Sequence, residues 1–275
     1  MTDQTARQVL IGQLTDTHVL APDDDTTEVF VDNNARLADA VASINAEEPG
    51  LDLVVATGDL TNDARADEYD ELCDLLGGVT VDLLPLPGNH DERTELRGRF
   101  PDVPWAGAEH ASWVATVGHV RVIGLDSTRP GHHGGEFDDD RAAWLSSVLA
   151  EAHDGVTLLA MHHPPFRSGI DWMDANGFLG LDLLAEVVHG QPIARIMCGH
   201  LHRPMGSSFA GIPAQVGMST VQHVALDLRG VGAIAVIDDP VGYQIHQVVD
   251  DAVVTHSRYI GTGLPIVPKW AATFR

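Results

Sequence analysis

Cysteine is almost absent from this chain and basic residues are scarce: two Cys, and 16 Lys and Arg against 40 Asp and Glu, in 275 residues. Cys73 falls in a helical pattern and Cys198 ends an apolar run, so a disulfide framework is excluded and reduced thiols are expected. A net charge of −24 excludes the Lys/Arg stripe that a phosphate backbone requires, and with it duplex nucleic acid and anionic membrane surfaces as partners. A small anion stays compatible, because charges beyond a Debye length of about 8 Å are screened and a buried metal site sets its own local field. The acidic excess fits salt adaptation and plain solubility equally. Long apolar runs are missing as well. No stretch reaches the roughly 18 residues that span a bilayer. The start MTDQTARQVLIGQL has no basic region ahead of an apolar signal core, so a cytoplasmic location is expected. With no internal repeat and no low-complexity linker, one domain over residues 1–260 is expected, with the tail GLPIVPKWAATFR as an extension over 261–275.

What the chain does contain is short apolar runs that end in polar loops. QVLIGQL, LDLVVAT, VDLLPLP, VRVIGL, VTLLAM and ARIMC are rich in Val, Leu and Ile and read as buried strands. Helical patterns lie between them: Leu37, Val41 and Ile44 share one face, as do Tyr69, Leu72, Cys73 and Leu76. A third helix is expected after an N-cap at Asp138 or Asp139, and a fourth over LGLDLLAEVVHG. Strands alternating with helices imply an α/β fold with a mostly parallel sheet. Beyond His202 the texture becomes short strands split by Gly and Pro, which predicts a second, more antiparallel layer.

Ligands of α/β sheets gather where the carboxyl ends of strands meet their loops. Five such ends carry metal-ligand types: Asp16 and His18; Asp59; Asn89 and His90, with Asp91 behind them; His162 and His163; His200 and His202. Unpaired carboxylates crowded at one rim would repel one another and cost several kcal/mol if buried, a cost that bound cations remove. Four imidazoles, two aspartates and an asparagine amide exceed the needs of one ion but suit two sharing a carboxylate. Two ions about 3.5–4 Å apart would clamp a phosphoryl group and lower the pKa of a bridging water, supplying a nucleophile without Ser or Cys. Mixed N/O ligands accept iron or manganese, with zinc or cobalt as alternatives.

The ordered set TDTH, GDLTN, GNHD, HHPP and GHLH, from residue 15 to 202, resembles the five motifs of the calcineurin-like metallophosphoesterases. The resemblance implies a four-layer αββα sandwich of two mixed β-sheets, with a dinuclear metal site at the C-terminal ends of the strands. It implies that Asp16, His18, Asp59 and His202 hold one metal, that Asp59 bridges, and that Asn89, His162 and His200 hold the other. His90 then sits beside the phosphate as the catalytic residue, and His163 is the neighbour of a ligand in a rigid turn.

Departures narrow the branch. Asn62 stands where purple acid phosphatases have a metal-bound tyrosine, and GDLTNDA with GNHD differs from the GDxVDRG and GNHE of protein phosphatases. GDLTN followed by DEY, together with HHPPF, Gly169 and Met173-Asp174, is similar to the bacterial cyclic-nucleotide and glycerophosphodiester phosphodiesterases. That likeness implies hydrolysis of small phosphodiesters by a metal-bridging hydroxide, with 3′,5′-cyclic nucleotides ahead of glycerophosphodiesters, and Asn62, His90 and Phe166 contacting substrate. A metal-bound sensor or scaffold without turnover is the alternative, and a homo-oligomer, dimer or higher, is compatible. Phe166, Trp172 and Phe178 read as packing that could also stack on a base. His132 and His133 read as a solvated glycine-rich loop, and His223 as a hydrogen-bonded structural residue.

Overall fold

The computed structural model describes residues 8–22, 31–107, 109–230 and 234–261, so the expected extension lies, apart from Gly261, outside the described residues. Every apolar run named above forms a strand, and two mixed sheets organise them. In the first sheet Gln8–Leu14, Leu53–Thr57 and Leu83–Leu86 run parallel, and Gly242–Val249 and Ala252–Tyr259 continue antiparallel from the Gln8–Leu14 edge. In the second, Val120–Leu125, Val156–Met161, Ile193–Cys198 and Ile212–Val216 are parallel, flanked by antiparallel Trp113–Val117 and Met205–Phe209.

Side chains alternate across each strand, so each sheet has two apolar faces to bury. Val9, Ile11, Leu53 and Val55 meet Val122, Leu158, Ala160 and Met197 in a core between the sheets. On the outer face of the first sheet, Leu10, Val54 and Ala56 pack against Leu37, Val41, Leu72 and Leu76 of helices Asn33–Asn45 and Ala66–Leu76. On the outer face of the second, Ile123, Leu159 and Ile196 pack against Leu145, Leu149, Leu184 and Val188 of helices Asp139–Ala150 and Leu181–Val188. Helices, sheet, sheet and helices therefore stack in that order. Asp138 caps the third of these helices by accepting from the Arg141 amide at 2.9 Å.

One expectation is corrected. The segments after His202 do not form one second layer. Gly242–Val249 covers the open edge of Gln8–Leu14, Ile212–Val216 extends the second sheet beside Ile193–Cys198, and His223–Val224 pairs antiparallel with Val236–Ile237 as a small separate sheet. Trp113 pins the two sheets together at their other edges. It is fully buried, its Nε1 donates to the Pro85 carbonyl of the first sheet at 2.7 Å, and its ring lies where a Cβ on Gly124 would come within 2.3 Å. Trp113→Ala should lower the unfolding free energy by about 3–5 kcal/mol in urea titrations. A loss under about 1 kcal/mol would mean that the sheets are held together elsewhere.

Candidate metal centre

Five strands of the two sheets deliver their C-terminal loops to one rim, and there the polar residues meet. Ligand-type atoms of Asp16, His18, Asp59 and His202 form one cluster, and those of His162, His163 and His200 form another, each within 4.8 Å. Asp59 joins them: its Oδ2 lies 3.3 Å from His162 Nε2 and 3.8 Å from His18 Nε2. Its Oδ1 accepts from the His90 amide at 2.8 Å, which fixes the carboxylate and leaves Oδ2 to face both clusters. Asn89 Oδ1 completes the second cluster at 3.3 Å from His162 Nε2.

The backbone is bent to make this convergence. Asp16, His18, Asp59, His200 and His202 all have φ between 42° and 71°. The left-handed region costs a non-glycine residue on the order of 1 kcal/mol or more, and Asp and His enter it more readily than most. Two glycines let the loops close. A Cβ on Gly88 would sit 2.2 Å from the Asp59 amide nitrogen and Oδ1, and one on Gly199 would sit 2.0 Å from Thr15 Oγ1.

Protein atoms alone leave the charges here unresolved. Asp16 and Asp59 are buried. Burial raises the pKa of Asp16 despite the attraction of His202 and His162. Burial would raise Asp59 also, but the charge and hydrogen bond of His162, with His18, hold it well below the carboxylate range. Burial lowers His162, yet the charge and hydrogen bond of Asp59 together with Asp16 and the Thr57 carbonyl outweigh it and push the ring up to about 9. Burial and that neighbour drive His200 down to about 3. His18 is held well below its ordinary value by burial and by His202. His162 Nδ1 donates to the Thr57 carbonyl at 2.8 Å and His202 Nδ1 to the Gln222 carbonyl at 3.3 Å, so both rings turn Nε2 inward, where a bound cation would take the place of any proton on it. His202 Nε2 stands 2.9 Å from His18 Nε2 and 3.4 Å from Asp16 Oδ1, an array of acceptors that a cation would satisfy. The donor set of imidazole, carboxylate and amide oxygen fits two divalent transition ions.

His163 also sits in the second cluster, but both its ring nitrogens are engaged. Nε2 donates to the His133 carbonyl at 3.2 Å, and Nδ1 therefore accepts from the Ser127 hydroxyl at 3.0 Å. His90 Nδ1 donates to the Asn62 carbonyl at 2.6 Å, and its ring stands 4.8 Å from that of His18. The Asn62 amide donates to Asp63 Oδ2 at 3.1 Å. Phe166 lines a small cavity with His163 and His200. His223 is buried with its Nε2 unpartnered among the described residues, unlike the hydrogen-bonded role expected.

Several residues support the site from behind, one of them the last residue of the GNHD motif and two outside the five motifs. Asp91 ties two loops together: its carboxylate accepts from the Leu60, Thr61 and Gly88 amides and the Thr61 hydroxyl at 2.8–3.2 Å. Asp126, fully buried, binds Arg93 at 2.5 Å and takes the Ala111 and Thr128 amides, and Arg93 outweighs burial to hold its pKa low. Gln13 donates to Thr57 Oγ1 at 3.0 Å and to the Cys198 carbonyl at 2.8 Å, and accepts from His246 at 2.9 Å, joining the two sheets behind the ligands. Asp126, like Asp16 and Asp59, follows an apolar run, VRVIGL, and that position is its signal in the sequence. The solvated loop expected at His132 and His133 is exposed, and it also reaches the site: a His133 ring nitrogen accepts from the Asn89 amide at 3.2 Å, and its ring lies 5.8 Å from that of His90.

Asp91→Asn tests the loop tie. The amide would turn an NH₂ toward backbone donors, a conflict of about 1–3 kcal/mol. The variant should melt lower than the parent and bind Mn²⁺ more weakly in equilibrium dialysis. Unchanged melting and affinity would remove Asp91 from the support of the site.

The calcineurin-like phosphoesterase family model matches residues 9–204. A probable glycerophosphodiester phosphodiesterase of Arcobacter nitrofigilis is 30% identical over 257 residues, covering 92% of this chain and 94% of the relative. A probable cyclic nucleotide phosphodiesterase of Rhodopseudomonas palustris is 33% identical over 248 residues, covering 88% and 89%. Among solved structures, the purple acid phosphatase PPD1 of yellow lupin superposes with a TM-score of 0.64 at 12% identity, covering 92% of this chain and 52% of that one, which is a likeness of fold. Taken with the five motifs converging on one rim, the match over most of its length shows that this chain belongs to the calcineurin-like phosphoesterase family.

Proposed function

We propose that this member of a family of metal-dependent phosphoesterases hydrolyses small phosphodiesters, with 3′,5′-cyclic nucleotides preferred to glycerophosphodiesters. The observation that carries the reading is the position of Asp59 Oδ2 between two clusters of nitrogen and oxygen donors, with His90 beside them. Asp16, His18, Asp59 and His202 would hold one ion, and Asp59, Asn89, His162 and His200 the other. When bound, such ions supply a hydroxide nucleophile near neutral pH and a positive clamp for the phosphoryl group. The chain's own residues do the rest. Asp16, Asp59 and the hydroxide would offset three of the four charges of two divalent ions, which leaves a local excess of roughly one positive charge for a phosphodiester monoanion.

His90 is held by the Asn62 carbonyl at Nδ1 and offers Nε2 to the reacting phosphate, where it donates to an oxygen or returns a proton to the leaving alkoxide. The Asn62 amide exchanges its exposed contact with Asp63 for a phosphoryl oxygen. Relatives named for both substrate classes match at similar identity, so the preference rests on the chain itself. Phe166, which lines the small cavity beside His163 and His200, would meet the alcohol side of the diester. Residues 1–260 serve as one catalytic domain. This reading is supported by Gly242–Val249 and Ala252–Tyr259 completing the sheet that carries Asp16 and Asp59.

A kinetic panel of 3′,5′-cyclic AMP, glycerophosphoethanolamine, an aryl phosphodiester and single-stranded DNA tests the assignment. Cyclic AMP should show the highest kcat/KM, and His90→Ala should keep both ions yet lose about 10²–10⁴-fold in kcat. Higher kcat/KM on DNA than on every small diester would overturn the substrate class. Full turnover in His90→Ala would remove that residue from the chemistry.

A further inference from the structure

The glycine-rich loop PGHHGGEF lies against two of the loops that form the second cluster. A Cβ on Gly134 would come within 2.3 Å of the Asn176 carbonyl oxygen, and one on Gly135 within 2.8 Å of His163 Cβ. Backbone bonds fix the loop there: Gly135 donates to the Gly177 carbonyl at 3.2 Å, Glu136 to the Ser127 carbonyl at 3.0 Å, and the His133 carbonyl accepts from His163 Nε2 at 3.2 Å. His133 is thus bonded through its backbone to the HHPP turn and through its ring to Asn89 of the GNHD loop.

That second bond decides which way an amide points. A primary amide has a donor end and an acceptor end of nearly equal size, and a half-turn about its last torsion exchanges them. Asn89 is partly exposed, and at its other end Oδ1 faces His162 Nε2 at 3.3 Å. Only the oxygen end can serve a cation there. Asn89 Nδ2 donates to His133 Nδ1 at 3.2 Å, and this acceptor holds the NH₂ away from the cluster and the oxygen toward it.

We infer that His133 is a positioning residue for the metal held by Asn89, His162 and His200, acting by accepting the Asn89 NH₂ so that the amide oxygen faces the ion. The inference rests on the proposed place of Asn89 among the ligands. Groups that orient a metal ligand typically contribute about 10–100-fold in metal affinity. No other side chain among the described residues is hydrogen-bonded to Asn89 Nδ2.

The test is stepwise Mn²⁺ binding by calorimetry to the parent chain, His133→Leu, His133→Gln and Asn89→Ala, without substrate. The parent should bind two ions. Asn89→Ala and His133→Leu should each weaken one of the two steps about tenfold or more and leave the other step unchanged. His133→Gln should restore parent affinity, because its Oε1 can accept the same NH₂. A merely structural role for the loop would not be rescued by glutamine. Parent-like binding by His133→Leu alongside a weakened Asn89→Ala would overturn the inference alone. So would a His133→Gln as weak as His133→Leu. Parent-like binding by Asn89→Ala would overturn the ligand assignment and the inference with it.

Discussion

Two buried aspartates facing a ring of imidazoles set the terms for the rest of this molecule. Asp16 and Asp59 are withdrawn from water at the rim where both sheets end, and protein groups alone do not neutralise them evenly. One His is driven up to about 9 while its neighbour falls to about 3, and two Nε2 atoms confront each other at 2.9 Å. Cations held by the two clusters would turn these conflicts into ligand bonds. The strained backbone follows from the same constraint, since five residues of the clusters occupy left-handed conformations that a relaxed loop would avoid.

The supports around the rim act on that constraint in different ways. Asp91 clamps the GDLTN and GNHD loops through backbone amides, and Asp126 anchors Arg93 just after them. Gln13 links the strand ends that lead to Asp59 and to His200 across the gap between the sheets. Carbonyl acceptors at Thr57, Gln222 and Asn62 set the tautomers of His162, His202 and His90. A metal centre on two sheets needs all three kinds of fastening, because a relative shift of the sheets would separate Asp59 from His162.

The centre was legible in the sequence to the extent that function interrupts a local pattern. Asp16, Asp59, His162 and His200 each follow an apolar run, and a polar residue at the end of a buried strand stands out. Gln13 does not stand out, because a single polar residue inside QVLIGQL looks like an ordinary alternation although it is buried between the sheets. His133 reads correctly as exposed, but its contact with Asn89, 44 residues away, is one that no local pattern encodes, and the glycines beside it permit close approach to Asn176 and His163. The strands Gly242–Val249 and Ala252–Tyr259 carry a correct local pattern, but their pairing with the first sheet is a long-range choice that no local period encodes. The net charge of −24 speaks to the outer surface, while the sign of the field at the rim would be set by the ions that the two clusters bind.

The most direct test of the centre is the electron paramagnetic resonance spectrum of the Mn²⁺-loaded chain, with a metal count on the same sample, for the parent and Asp59→Asn. Two ions sharing Asp59 should give two Mn²⁺ per chain and an exchange-coupled spectrum, as expected for a separation of about 3.5–4 Å. Asp59→Asn should lower the count and abolish the coupling. A single ion per chain, or two uncoupled ions whose number is indifferent to Asp59→Asn, would contradict the shared-carboxylate centre.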